Sequence, residues 1–205
     1  MVSNLSTNVS MNESGGVWLR GEMPDTLKDA LQSAGLALTG SGESETLQAM
    51  VYCAPMTANE VGGQHIVAHV AAVLEDFAAS ARVAAKTLAA KGGGQIVVVC
   101  DIIAHCGRAG HPARSAADAA LLGASKCLAK ELGRYKVDVN VICHGAQPEL
   151  GSSLELSGAE RKLFDMMGLG APGTPAMLAT NIAHLARGAH GMTGQVINVD
   201  NGMVM

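Results

Sequence analysis

The run "QIVVVCDII", residues 95–103, constrains this chain more than any other stretch. It is apolar and rich in β-branched residues at successive positions. A strand of that kind must be covered on both faces, as happens in a parallel sheet with helices on each side. A second doubly buried strand, "VDVNVICHG", follows at 137–145. Long helical patterns precede both. Over 65–91 the residues Val70, Val73, Leu74, Phe77, Ala81 and Ala84 form an apolar stripe, and "KGGGQ" stops it. Over 111–135 an alanine-rich helix is expected.

Around this centre the alternation continues. "GVWLRG" (16–21) reads as a short strand, and "PDTLKDALQSAGL" as a helix started by Pro24 and Asp25 and stopped by Gly35. Leu27, Ala30, Leu31 and Ala34 recur there at helical spacing. "TGSGESE" reads as a loop, and "TLQAMVYCA" as a short buried strand ended by Pro55. An irregular segment is expected over 146–158, then a helix over 159–167, a helix in "PAMLATNIAHLARGA" and a last strand in "GQVINVDNG". Strands alternating with helices give an α/β fold: a doubly wound, mostly parallel sheet of Rossmann-like type. No repeat or linker divides the chain. The expectation is a polar leader over 1–16 and one domain over 17–205.

Hydrophobic residues make up 48% of the 205 and charged ones 16%, while aromatics are 2%. The apolar content is therefore in small and aliphatic side chains, which let helices approach closely. So few charges favour a chain with surface buried in an assembly. The net charge of −4 and the lack of a basic block argue against nucleic-acid binding. No run reaches the roughly 20 apolar residues of a membrane helix. The first residues lack the basic start and apolar middle of a secretion signal. The odd set Cys53, Cys100, Cys106, Cys127 and Cys143 then reads as free, buried thiols in a cytoplasmic protein.

Four stretches carry a family resemblance. They are "GGGQIVVVCD", "SAADAALLGASKCLAKEL", "VDVNVICHGAQPE" and, most specific, "GMTGQVINVDNGMVM". From about residue 47 to the end the chain resembles the short-chain dehydrogenase/reductase family, especially its 3-ketoacyl reductase-like members. The resemblance implies a reductase site built from a Ser, a Tyr thirteen positions on and a Lys four further. The Tyr acts as general acid/base, the Lys lowers its pKa, and the Ser orients the carbonyl. An Asn in the preceding helix supports the Lys.

Carried across, the Ser position falls on Asp101, the Tyr position on Arg114 and the Lys position on Asp118. The Asn position falls near Ala72 or Val73. The spacing is kept and the chemistry is not. Tyr52 and Tyr135 offer no substitute, since Met56 and Val139 stand four residues after them. An arginine cannot give up a proton at useful pH. Between two carboxylates it is expected to form charged hydrogen bonds that fill the cleft. A plain helix pair between Arg114 and Asp118, a ligand site and a new catalytic role are the competing readings.

The family's cofactor motif, T-G-x-x-x-G-x-G after a first strand, has no counterpart. Gly35, Gly40 and Gly42 have the wrong spacing, and "NNAG" is replaced by Tyr52-Cys53-Ala54-Pro55. The first βαβ unit reads as trimmed to one short strand and one helix. No cofactor is expected on this chain. Cys100, His105, Cys106 and His111 lie close in sequence but lack matched metal-ligand spacing, so no metal is expected. His144 replaces a family proline; Asn181 and His184 read as solvent-facing, and Glu75 with Asp76 as a solvated or interface edge.

What the resemblance keeps are assembly surfaces: the helices at 65–91 and 114–135, the helix at 175–189 and the tail at 194–205. Ala116, Ala119, Ala120, Gly123, Ala124 and Cys127 lie along one side of the helix at 114–135. The resemblance therefore implies a non-catalytic subunit of a hetero-oligomer, expected to be a tetramer. Its partner would be an active, full-length member of the family that holds NAD(P) and acts on a hydroxyacyl- or ketoacyl-CoA substrate. One such substrate is 2-(hydroxy(phenyl)methyl)succinyl-CoA of anaerobic toluene breakdown. A homo-oligomeric protein binding a small ligand in the emptied cleft, and an enzyme with unusual residues, are the alternatives.

Overall fold

The computed structural model describes residues 15–55, 65–145, 168–188 and 191–204. In chain order the elements are β1 (Gly16–Gly21), α1 (Asp25–Ser33), β2 (Ala37–Thr39), β3 (Leu47–Cys53), α2 (Ile66–Ala90), β4 (Gly94–Asp101), α3 (Ile103–Cys106), α4 (Pro112–Leu132), β5 (Val137–His144), α5 (Pro175–Arg187) and β6 (Val196–Val199). The six strands form one sheet in the order β2-β1-β3-β4-β5-β6, and every pair is parallel. The irregular segment and helix expected at 146–158 and 159–167 lie outside the described residues, as do residues 1–14 of the expected leader.

Alternate residues of the central strands feed two cores. Ala49, Val51, Val97, Val99 and Ile142 face α1 and α5, where they meet Leu27, Leu31, Leu178 and Ile182. Met50, Tyr52, Ile96, Val98, Val139 and Val141 face α2 and α4, where they meet Phe77, Ala84, Leu88 and Leu121. The period-two alternation of a strand thus explains why the sequence shows unbroken apolar runs. The Tyr52 ring meets Phe77 edge-on with centroids 5.1 Å apart, and its hydroxyl donates to the Val73 carbonyl at 3.2 Å.

The "KGGG" stop is a glycine-built helix end. Gly92 N–H donates to the Ala89 carbonyl at 3.1 Å and Gly93 N–H to the Leu88 carbonyl at 2.9 Å. Gly92 and Gly93 have φ of 87° and 143°, and a Cβ on Gly93 would lie 2.6 Å from the Lys136 carbonyl oxygen. Pro112 opens α4 and Thr174 caps α5, its Oγ1 accepting from Met177 N–H at 3.3 Å.

Three expectations need correction. The amino-terminal unit is not one strand and one helix, because Ala37–Thr39 add a strand that pairs with β1. Three residues between turns are too few for a periodic signal. The helix expected over 111–135 stops at Leu132, and Gly133–Tyr135 tighten into a 3-10 turn. Cys53, Cys100 and Cys143 are buried, but Cys106 and Cys127 are exposed. Among the described residues no helix is long and apolar enough to cross a membrane.

Leu121 is fully buried between α4 and the sheet. Leu121→Ala should lower unfolding free energy by about 2–5 kcal/mol, read from urea denaturation. A loss below ~1 kcal/mol would mean that α4 does not seal this core.

Candidate functional site

In a doubly wound sheet the strands' carboxyl ends form the crevice where ligands bind. Here β4 ends at Asp101 and β5 at His144, and the two residues are register partners. The first turns of α4 cover them with Arg114 and Asp118. All four are buried: Asp101 is 7% exposed, Arg114 6%, Asp118 1% and His144 3%.

The structure brings the three residues singled out by spacing into contact. Arg114 Nη2 donates to Asp101 Oδ2 at 2.7 Å. Arg114 Nε lies 3.9 Å from Asp118 Oδ2, one helical turn on. That same Asp118 oxygen accepts the Asp101 backbone N–H at 3.2 Å. The other Asp101 oxygen accepts Ile103 N–H at 3.2 Å, which starts α3. Strand end, short helix and long helix are thus tied through two carboxylates and one guanidinium.

Electrostatics follow from burial. Asp118 is pushed up to about 7 by loss of water, against the opposing pull of Arg114 and of the Asp101 N–H. His144 is held below its ordinary value, again chiefly by burial. Its Nδ1 lies 2.8 Å from the Gly145 carbonyl. A carbonyl can only accept, so Nδ1 carries the hydrogen and a neutral ring keeps its lone pair on Nε2. Burial also pushes the Cys53 and Cys143 thiols up to about 12 and Cys100 well above its usual range. None is a ready thiolate nucleophile.

The sheet's switch point lies between β1 and β3, where the chain turns outward to β2. The strand ends stay zipped there. Glu22 N–H donates to the Cys53 carbonyl at 3.2 Å, and a Cβ on Gly21, whose φ is 76°, would lie 1.9 Å from that oxygen. Helix α1 begins after Pro24, which has no N–H to offer, and carries Asp25 in its first turn. Asp25 is held below the usual carboxylate range by its hydrogen bond to Lys28.

Beside the switch point lies a polar group that the sequence did not reveal. Arg20 donates from Nη2 to Asp76 Oδ1 at 2.7 Å and from Nε to Ser80 Oγ at 2.9 Å. Its guanidinium stands 5.3 Å from the Trp18 ring centroid. Asp76 is therefore not a plain solvated edge; it ties α2 to β1, while Glu75 is exposed. Arg20 and Asp76 are 56 residues apart, so only the Trp18/Arg20 alternation hinted at a shared face. Burial, with Asp76 nearby, raises Tyr52 above its usual value.

The remaining candidates do not converge. Ala72 is exposed, and Val73 is buried with its carbonyl bound to Tyr52. His105 and Cys106 face outward on α3, and His111 is half-buried at the start of α4. Asn181 and His184 are exposed on α5. Among the described residues no group of His, Cys, Asp and Glu could hold a metal ion. Ala116, Ala119, Ala120, Gly123, Ala124 and Cys127 lie on the outward side of α4, exposed or half-buried. A Cβ on Gly123 would have nothing within 4 Å among the described residues.

Comparison with known proteins agrees with this architecture. A family profile described as enoyl-(acyl carrier protein) reductase matches residues 60–204. Carbonyl reductase family member 4 of Xenopus laevis is 33% identical over 123 residues, 60% of this chain and 50% of that protein. The 3-oxoacyl-(acyl-carrier-protein) reductase of Homo sapiens is 32% identical over 123 residues, with the same coverage of 60% and 50%. The chain spans about half the length of these relatives. Among solved structures, L-sorbose reductase from Gluconobacter frateurii, described in complex with NADPH and L-sorbose, superposes with a TM-score of 0.75 at 17% identity, over 95% of this chain and 98% of that one. A short-chain type dehydrogenase/reductase from Mycobacterium ulcerans gives 0.73 at 24% identity, over 92% and 80%. At such identities the structural likeness speaks for the fold.

Removing the cation from the buried cluster leaves the Asp101 carboxylate without its charged partner. Arg114→Met should cost about 3–5 kcal/mol of stability at neutral pH. Arg20→Met, at a pair whose side chains are 38% and 41% exposed, should cost about 1 kcal/mol or less. Thermal or urea unfolding of the two variants side by side checks this; equal losses would contradict the buried-charge account.

Proposed function

This chain belongs to the short-chain dehydrogenase/reductase family, and on that premise we propose that it is a non-catalytic subunit of a heteromeric oxidoreductase, paired with an active, full-length member of the same family. One observation carries the reading. Where the resemblance calls for a tyrosine acid/base, Arg114 is locked to Asp101 at 2.7 Å. Such a guanidinium neither gives up a proton nor leaves room for a carbonyl between serine and tyrosine oxygens.

The cofactor end supports the same reading. A dinucleotide pyrophosphate needs backbone N–H groups at a helix start and a glycine path for its approach. Here the strand ends are zipped by Glu22 and Cys53, the helix opens on Pro24, and Glu22 and Asp25 put negative charge at its mouth. These residues do not fit NAD(P). The partner would hold the cofactor and carry out the hydride transfer. A hydroxyacyl- or ketoacyl-CoA type of substrate suits the naming of the relatives as 3-oxoacyl reductases. Within that class, 2-(hydroxy(phenyl)methyl)succinyl-CoA of anaerobic toluene degradation is the specific candidate. The reading puts the protein in the cytoplasm, which its five free thiols suit.

The contribution of the chain would be a surface. The outward side of α4 is built of small residues and presents a low, flat strip on which another helix could lie closely. The complex is expected to be a tetramer.

Affinity capture of the tagged chain from its native source, followed by native mass measurement, tests the proposal. The expected result is a full-length short-chain dehydrogenase in fixed ratio. The purified chain alone should oxidise no NADH or NADPH with acyl thioesters. Gly123 is exposed and a Cβ there meets nothing within 4 Å among the described residues, so Gly123→Arg should fold yet lose the partner. Recovery of the chain alone as a stable homo-oligomer, or turnover by it alone, would overturn the proposal.

A further inference from the structure

The buried cluster at the mouth of α4 holds an odd charge count. Asp101 and Asp118 face a single guanidinium, Arg114. Among the described residues, Arg114 is the one cation that acts on Asp118. From β3 comes Cys53, with Glu22 next to it; from β4, Cys100; from β5, Cys143 and the neutral His144. Asp200, beyond β6, is another carboxylate, engaged by the N–H groups of Gly202 and Val204 at 3.0 and 2.9 Å. From α2, Asp76 turns to Arg20, while Glu75, Arg82 and Lys86 are exposed. From α3, His105 and Cys106 are exposed. With both carboxylates ionised, the cluster would carry one uncompensated negative charge away from water. That is among the costliest arrangements a protein interior can hold.

We propose that this cluster is a pH-sensitive lock. With a proton on Asp118, the Asp101–Arg114 pair is balanced and holds the first turns of α4 onto the end of β4. When Asp118 gives that proton to solvent, the excess charge draws in water and the turn loosens. The lock stands on the charge count and on contacts that join three elements through one cluster. It does not depend on the chain being a subunit.

The sign follows from linkage. An unfolded or opened chain releases the Asp118 proton near pH 4, and the closed fold releases it near 7. Between those values the closed form binds a proton that the open form does not. Its stability is therefore full at low pH and falls as pH rises. The loss runs from about pH 4 up to about 7 and levels off above it.

Hydrogen exchange of the full purified chain, corrected for intrinsic rates, reads the lock directly. Between pH 6 and 8 the opening equilibrium of the amides at Asp101, Ile103 and the first two turns of α4 should rise about tenfold. Amides in the middle of β3 should change far less. Asp118→Asn keeps an oxygen for the Asp101 N–H and carries no charge, so its exchange should be flat across this range. Asp101→Asn removes the lesser cause of the raised Asp118 value and leaves its burial, so its pH dependence should be shallower than the parent's, and one as steep as the parent's would overturn the proposal even if the first variant fails to fold. Flat exchange in the parent chain would overturn the proposal. So would a pH dependence that survives in Asp118→Asn and vanishes in His144→Asn.

Discussion

Burial of the central strands on both faces is the constraint from which the rest of this structure follows. Ile96, Val97, Val98 and Val99 are each at most 1% exposed, so β4 needs a helical layer on either side. The parallel direction of every strand pair then requires each connection to cross the sheet from end to end, which sets the run of helices α1, α2, α4 and α5. All the strands consequently deliver their carboxyl ends to one edge. That is why Asp101 and His144 stand side by side, and why the start of α4 lands on them.

A cleft placed by topology can be used or filled. Among the described residues two sets of contacts line it, by different physics. At the switch point the backbone ladder runs one step further, through the Glu22 N–H and the Cys53 carbonyl. At the end of β4 charged side chains pair, and Asp118 is buried deeply enough for its carboxyl to be pushed up to about 7. Asp101, Arg114 and Asp118 tie the end of β4 to α3 and α4 at that place.

Much of this was legible in the sequence, for physical reasons. Doubly apolar runs reported β3, β4 and β5, and the stripe from Val70 to Ala84 reported α2. The interval of thirteen and then four residues linking Asp101, Arg114 and Asp118 survives as spatial contact, because a strand end and one helical turn translate spacing into geometry. What stayed hidden depends on register or on distant pairing. The adjacency of His144 to Asp101 is a property of strand alignment. The Arg20–Asp76–Ser80 group joins residues that no local pattern connects. Strand β2 is three residues of modest hydrophobicity and exists because β1 offers it a ladder.

That short strand has a consequence for how copies of the molecule meet. Among the described residues β2 is one outer edge of the sheet, with a ladder only three residues long. An edge so short is a poor template for a foreign strand, and short edges are one of the ways β proteins resist sheet-to-sheet aggregation. Growth of the sheet past β2 is therefore disfavoured, so a neighbour on that side would have to recognise side chains on the helices and not the bare backbone.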